Sequence, residues 1–270
     1  MSLTVTWLGH STVVLDVTGP GGAAVRVVTD PLLHRHAGLL RRRGDRPAEV
    51  WRGADAVLLS HLHHDHAELR SLRLLPDVPV LTARANARWL RAKGLRGVGL
   101  DGGWHPVGDE RADVAVRLAP AVHGHRPMPH RPNAANGHVV RVGTGPAGTD
   151  AGVRVWVVGD TEHYPAMAHL PALAGGPVDV ALVPVSGWGP RLSGGHLGPV
   201  QAARACAEAG VGVAIPVHWG TLHAPGVRDL PRGWMDHAGA AFEAAVQRES
   251  PGTRVVVLKP GGSWSADDDG

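Results

Sequence analysis

Short apolar runs, several of them alternating with polar positions, recur along the chain. Residues 3–9 (LTVTWLG) read as a strand entering a glycine turn, 11–17 (STVVLDV) as a second strand, and 24–30 (AVRVVTD) as a third ending on Asp30. The short links between them predict an antiparallel start. Residues 34–53 mix His, Arg, Gly and Pro without a period and read as irregular, either a loop over a site or a solvated connection. Further strands are expected at 54–60, 79–83, 112–120, 137–142, 152–160, 177–185, 211–220 and 253–261. Helical spacing of Leu69, Leu72 and Leu75 predicts a helix within 65–75. Others are expected at 83–93 (Thr82 as N-cap, Gly94 as stop), at 196–210 with Pro199 in its first turn, and at 234–248.

Strands dominate both halves, with helices between some of them. That pattern predicts two packed sheets with helices outside. A single domain is expected over 1–264, followed by a disordered acidic tail at 265–270. No short-period repeat is visible, and a loose duplication of a strand-rich half stays open.

Composition narrows the function classes. The formal net charge is only +3, from 27 basic and 24 acidic side chains, and no basic arm or aromatic-interleaved basic stripe appears, so no nucleic-acid partner is expected. Cys206 is the only cysteine, which excludes an intrachain disulfide and fits a reducing compartment. On a predicted helix stripe it reads as buried and inert. The start MSLTVTWLGHS lacks a secretory pattern, and no apolar stretch reaches transmembrane length. A cytoplasmic protein is the expectation.

The chemistry concentrates in SHLHHDH, residues 60–66. In an extended backbone alternate side chains share a side, so His61 and His63 can grip one cation. Asp65 and His66, after a change of direction, are placed for a second. Imidazole and carboxylate donors suit Zn²⁺, Fe²⁺ or Mn²⁺ and disfavour a thiolate-rich structural site. His64 is expected to point outward or to stand behind the ligands as a support. The competing reading is a surface histidine cluster. Against it, His123, Asp160 and His218 each follow an apolar run expected to be a buried strand.

In order along the chain stand WLGHS (7–11), TDP (29–31), HxHxDH (61–66), PAxH (120–123), GDT (159–161) and HWGT (218–221). With these motifs the chain resembles the metallo-β-lactamase superfamily. It looks most like the branch of ascorbate-6-phosphate lactonases and N-acylphosphatidylethanolamine phospholipase D-like enzymes. The resemblance implies an α+β, four-layer αββα sandwich with the site at one edge. It implies His61, His63 and His123 around one metal, Asp65, His66 and His218 around a second, and Asp160 bridging them. Two divalent ions are implied, Zn²⁺ first, with Mn²⁺ or Fe²⁺ as alternatives.

By the same resemblance Asp30 supports a ligand histidine, and His10 shapes the floor of the site. Asp65 and His196 are assigned catalytic roles, His196 as hydrogen-bond donor to substrate or acid for a leaving group. The expected function is a binuclear metal-dependent hydrolase in which a metal-bridging hydroxide attacks a small ester, lactone or phosphodiester, anionic ones included. Arg126, Trp188 and Arg191 are expected to bind substrate. His34, His36, the arginines at 41–46, His125, His130 and Arg131 would suit an anionic one, or are merely solvated. A small-molecule substrate is the expected partner, and assembly into a homo-oligomer is compatible with the resemblance. The alternatives are a phospholipase D-like lipid phosphodiesterase, a nuclease of the same fold, and a non-catalytic metal-binding protein.

Overall fold

A computed structural model describes residues 1–124, 130–143 and 152–269. The N-terminal half supplies β1 (Ser2–Gly9), β2 (Thr12–Thr18), β3 (Ala24–Thr29), β4 (His36–Ala37), β5 (Leu40–Arg42), β6 (Ala56–Leu58), α1 (Leu69–Leu72), β7 (Val80–Ala83), α2 (Arg84–Arg91) and β8 (Gly97–Leu100). The C-terminal half supplies β9 (His105–Pro106), β10 (Val114–Pro120), β11 (Asn136–Val142), β12 (Val153–Val157), α3 (Leu170–Ala174), β13 (Val180–Pro184), α4 (Pro199–Glu208), β14 (Val213–Val217), β15 (Leu222–His223), α5 (Ala238–Glu249), β16 (Arg254–Val255) and β17 (Ser263–Ser265).

Two seven-stranded sheets form among the described residues, in the orders β17-β1-β2-β3-β6-β7-β8 and β9-β10-β11-β12-β13-β14-β16. Each begins with an antiparallel edge strand, continues through a three-strand meander, and ends in three parallel strands. The duplication left open by the sequence is therefore present as repeated topology.

Alternation along the strands sorts side chains between two faces. Val27, Leu58, Val140 and Leu182 face inward into a core shared by both sheets. Their neighbours Val28, Val57, Val139 and Val183 face outward, toward α1 and α2 on one side and α3, α4 and α5 on the other. Strands covered on both faces explain the nearly continuous apolar runs. The result is the four-layer αββα order expected. Cys206 lies in the outer helical layer, and burial pushes its thiol up to about 12, as an inert thiol requires. Among the described residues no helix is long and apolar enough to cross a membrane.

Several local expectations are corrected. The irregular stretch 34–53 contains the β4–β5 hairpin, which joins β15 in a separate three-stranded sheet, and a 3-10 turn at Glu49–Trp51. The helix within 65–75 shrinks to α1, because turns through His63 and His66 precede it and Glu68 caps it. Ala83, not Thr82, occupies the N-cap of α2; the Thr82 hydroxyl instead accepts from Asn86. The expected strand at 253–261 is paired only over β16. Ser265, expected to open a disordered tail, pairs with Thr4, and a 3-10 turn follows at Ala266–Asp269. Trp264 drives this pairing by entering the inter-sheet core.

Candidate metal centre

The chemistry gathers where strands end. His10 follows β1, Asp30 follows β3, and residues 61–66 follow β6. His123, Asp160 and His218 follow β10, β12 and β14. Three of these residues have left-handed backbones: His10 (φ 52), Asp30 (φ 34) and His218 (φ 63). Non-glycine residues in that region cost energy and cluster at functional sites. Glycine is required beside them at two places. Gly159 has φ 68, and an added Cβ would lie 2.9 Å from the Asn136 carbonyl and 3.0 Å from the Ser60 Cβ. At Gly9 (φ 103) it would lie 2.7 Å from the Arg42 guanidinium.

The side chains converge on Asp160. Its Oδ2 is 3.1 Å from His66 Nε2, 3.2 Å from His218 Nε2, 3.3 Å from His196 Nε2, and 4.0 Å from both His61 Nε2 and His123 Nε2. Donor atoms of His61, His63 and His123 form one group close enough to hold a cation, and those of His10, Asp65, His66 and His218 form another. The two nitrogens His63 Nδ1 and His123 Nε2 approach to 3.1 Å, as do the Nε2 atoms of His66 and His218.

The outer hydrogen bonds decide the tautomers. His66 Nδ1 donates to Asp30 Oδ2 (2.8 Å), His218 Nδ1 to the Ser186 carbonyl (2.8 Å), and His123 Nδ1 to the Gly195 carbonyl (2.6 Å). Ser60 Oγ donates to Asp30 Oδ2 (2.7 Å) and so accepts from His61 Nδ1 (3.0 Å). Each neutral ring then turns an Nε2 lone pair inward. His61 Nε2 and Asp160 Oδ1 are buried with no hydrogen-bond partner. Converging lone pairs with nothing to share suit cations, and the donor set fits two divalent ions.

Electrostatics agrees. Burial opposes charge on Asp160, but His218 and His66 outweigh it and hold the carboxyl well below the usual range. Asp65 is held low likewise, with His66 and His10 outweighing burial. Burial alone would depress His66, yet Asp160, Asp30 and Asp65 push it well above the ordinary value. Burial, reinforced by His66, pushes His61 well below its usual range, and burial pushes His123 down to about 4.

Asp30 lies against His66. His10 does more than shape a floor: its Nε2 bonds Asp65 Oδ2 at 3.0 Å. His64 is exposed, as expected. Trp188, Arg191 and His196 share the lining of a cavity of about 260 Å³. Arg126 and His125 lie outside the described residues. Ser60, which the sequence did not single out, links histidines of both groups through Asp30; the only signal for it was a hydroxyl directly preceding the first histidine.

Two of the arginines at 41–46 are engaged within the fold. Arg42 is buried, donating to the carbonyls of Leu8 (2.8 Å) and Leu32 (2.7 Å), two positions from His10 and Asp30 respectively. Arg43 pairs with Asp236. Replacing Arg42 by Ala strands two buried carbonyls, so unfolding by urea is expected to show a loss of roughly 2–5 kcal/mol. The KM for anionic substrates should not change; a rise in KM at constant stability would restore the patch reading.

A family model described as "Beta-lactamase superfamily domain" matches residues 25–219. A "UPF0173 metal-dependent hydrolase" of Symbiobacterium thermophilum is 30% identical over 77% of this chain and 80% of its own length. An "N-acyl-phosphatidylethanolamine-hydrolyzing phospholipase D 1" of Caenorhabditis elegans is 24% identical over 98% of this chain and 76% of its own. The solved structure of Igni18, described as a novel metallo hydrolase from Ignicoccus hospitalis, shares the fold with a TM-score of 0.70 at 20% identity, covering 98% of both chains. A repeated-topology sandwich with paired His/Asp groups at one edge, matched by that family model across most of its length, is consistent with metal-dependent hydrolase activity. The chain belongs to the metallo-β-lactamase superfamily, alongside the UPF0173 metal-dependent hydrolases.

Proposed function

We propose that the chain is a binuclear metal-dependent hydrolase of small esters, lactones or phosphodiesters. His61, His63 and His123 would hold one ion, Asp65, His66 and His218 the other, and Asp160 both. The observation that carries this is the position of Asp160 Oδ2, within 4.0 Å of His61, His123, His66 and His218 alike. Zn²⁺ is the first choice of ion, with Mn²⁺ or Fe²⁺ next. When bound, such a pair acidifies water and polarises a substrate oxygen.

The chain's own residues orient and exchange protons. Burial, aided by His218, pushes His10 down to about 3, so it stays neutral and donates from Nε2 to Asp65. That bond holds Asp65 Oδ2 at the site, 3.8 Å from both His66 Nε2 and His218 Nε2. His196 is anchored at Nδ1 by the carbonyls of Ser193 and Gly194, both at 3.2 Å, which leaves Nε2 facing the site. There it can pass a proton to a leaving-group oxygen. Trp188 offers an apolar wall to the same cavity. Arg191 has no hydrogen-bond partner among the described residues and is free to meet an anionic group.

The reading is tested by elemental analysis of purified protein with a panel of lactones, nitrophenyl esters and phosphodiesters. Two ions per chain and turnover of at least one class are expected. Protein that takes up no ion sinks the reading, and loaded protein that hydrolyses nothing sinks its catalytic half. The lipid phosphodiesterase reading draws on the Caenorhabditis relative and on exposed Trp188 and Leu192 near His196. Vesicles containing N-acylphosphatidylethanolamine belong in the panel for that reason.

His196→Ala should lower kcat by about 10²- to 10⁴-fold while both ions stay bound. The loss should be smallest for nitrophenyl substrates, whose leaving group needs no proton. An equal loss across leaving groups would exclude the acid role.

A further inference from the structure

We infer that Arg131 is a positioning residue that clasps the 61–67 loop and sets the convergence of His61, His63, Asp65 and His66. The inference rests on the ligand assignment proposed above. Arg131 lies between β10 and β11, in the connection that also carries His123. Its Nη1 donates to the carbonyls of Leu62 (2.7 Å) and Ala67 (3.1 Å), and its Nη2 donates to His64 Nδ1 (3.0 Å). One guanidinium thus holds the loop near both ends and at its outward-facing middle.

The loop needs such a partner. Inside it, the amides of His66 and Ala67 both turn back to the His63 carbonyl (3.2 and 2.8 Å), closing a single turn, and α1 starts only at Leu69. No backbone N–H among the described residues reaches the carbonyls of Leu62 or Ala67. A buried side chain at each of these positions fixes one side of the peptide, and Arg131 fixes the other. The guanidinium is itself held over Trp89, 4.8 Å from the ring centre, and Trp89 Nε1 donates to the His130 carbonyl (2.9 Å). Its planar fork sets the spacing of the two carbonyls, which an ammonium on a flexible stem cannot reproduce while also reaching His64. Because the clasp comes from the connection bearing His123, it also ties a ligand loop of one sheet to a ligand loop of the other.

The test compares full-length wild type, Arg131→Ala and Arg131→Lys. Zn²⁺ affinity is read by chelator competition, site geometry by the visible spectrum of Co²⁺-loaded protein, and stability by melting of metal-free protein. Arg131→Ala is expected to bind Zn²⁺ about 10-fold or more weakly, as for other supports of ligand geometry. Its Co²⁺ spectrum should shift, and millimolar guanidinium should restore both. Wild-type affinity and spectrum in Arg131→Ala overturn the inference. So does a loss that follows an equal fall in metal-free melting and is not restored by guanidinium. If Arg131→Ala does not fold, Arg131→Lys decides: weakened binding with a shifted spectrum supports the clasp, and wild-type behaviour overturns it. A wild type that takes up no ion overturns the ligand assignment and the clasp together, whereas a loaded wild type with unaffected variants overturns the clasp alone.

Discussion

Asp160→Asn is expected to reduce the bound ions from two to at most one, and to cut hydrolysis by more than the ~10- to 100-fold cost of losing an outer support. The substitution keeps shape and removes charge. Asp160 Oδ2 lies within 3.1–4.0 Å of imidazole nitrogens from both ligand groups, while Oδ1 is buried and unpartnered. An amide cannot accept at both atoms, and one of its positions would present N–H to nitrogens that are themselves turned inward. Among the described residues no other carboxylate lies within 4 Å of histidines from both groups: Asp65 reaches His10 at 3.0 Å and His66 and His218 at 3.8 Å each. Elemental analysis and kcat on the same preparation check this. A variant with two tightly held ions and wild-type turnover would falsify the bridging role.

The second large effect is expected at Asp30. Its Oδ1 accepts from the Ser60 amide (2.7 Å), and its Oδ2 accepts from Ser60 Oγ (2.7 Å) and His66 Nδ1 (2.8 Å). Asp30→Ala leaves three buried donors without an acceptor. It also places Ala where φ is 34, a conformation Asp tolerates better. Together these should cost about 3–5 kcal/mol in urea unfolding of metal-free protein. Affinity for Zn²⁺ should fall about 10- to 100-fold, since His66 and, through Ser60, His61 lose their anchor. Ser60→Ala should give a milder loss of ~1 kcal/mol. If Asp30→Ala keeps its stability and loses only the second ion, the anchor does not span both groups.

The two predictions share a physical basis: ligand geometry here depends on protons whose positions the outer shell dictates. That shell was only partly readable in advance. Asp30 could be placed because it ends an apolar run and falls in TDP. Ser60 could not, because a hydroxyl next to a histidine is uninformative until Asp30 is seen 2.7 Å away. The main strands were readable where burial on both faces produced long apolar runs. The β4–β5–β15 sheet was not, since two- and three-residue strands carry no measurable period. β17 was hidden for a different reason: Ser-Trp-Ser looks like tail until β1 offers it an edge and the inter-sheet core receives Trp264.

The sequence by itself determined the donor chemistry: imidazoles and carboxylates at the ends of apolar runs. Those features are local, set within a few residues by backbone period and by the change from strand to loop. Only the tertiary structure decided what the arginines do. Arg42 meets Leu8, 34 positions away, and Arg131 meets Leu62, 69 positions away. A guanidinium fits a substrate anion or a pair of backbone carbonyls equally well, and only folding, by bringing distant unpaired carbonyls beside these two, selects the second.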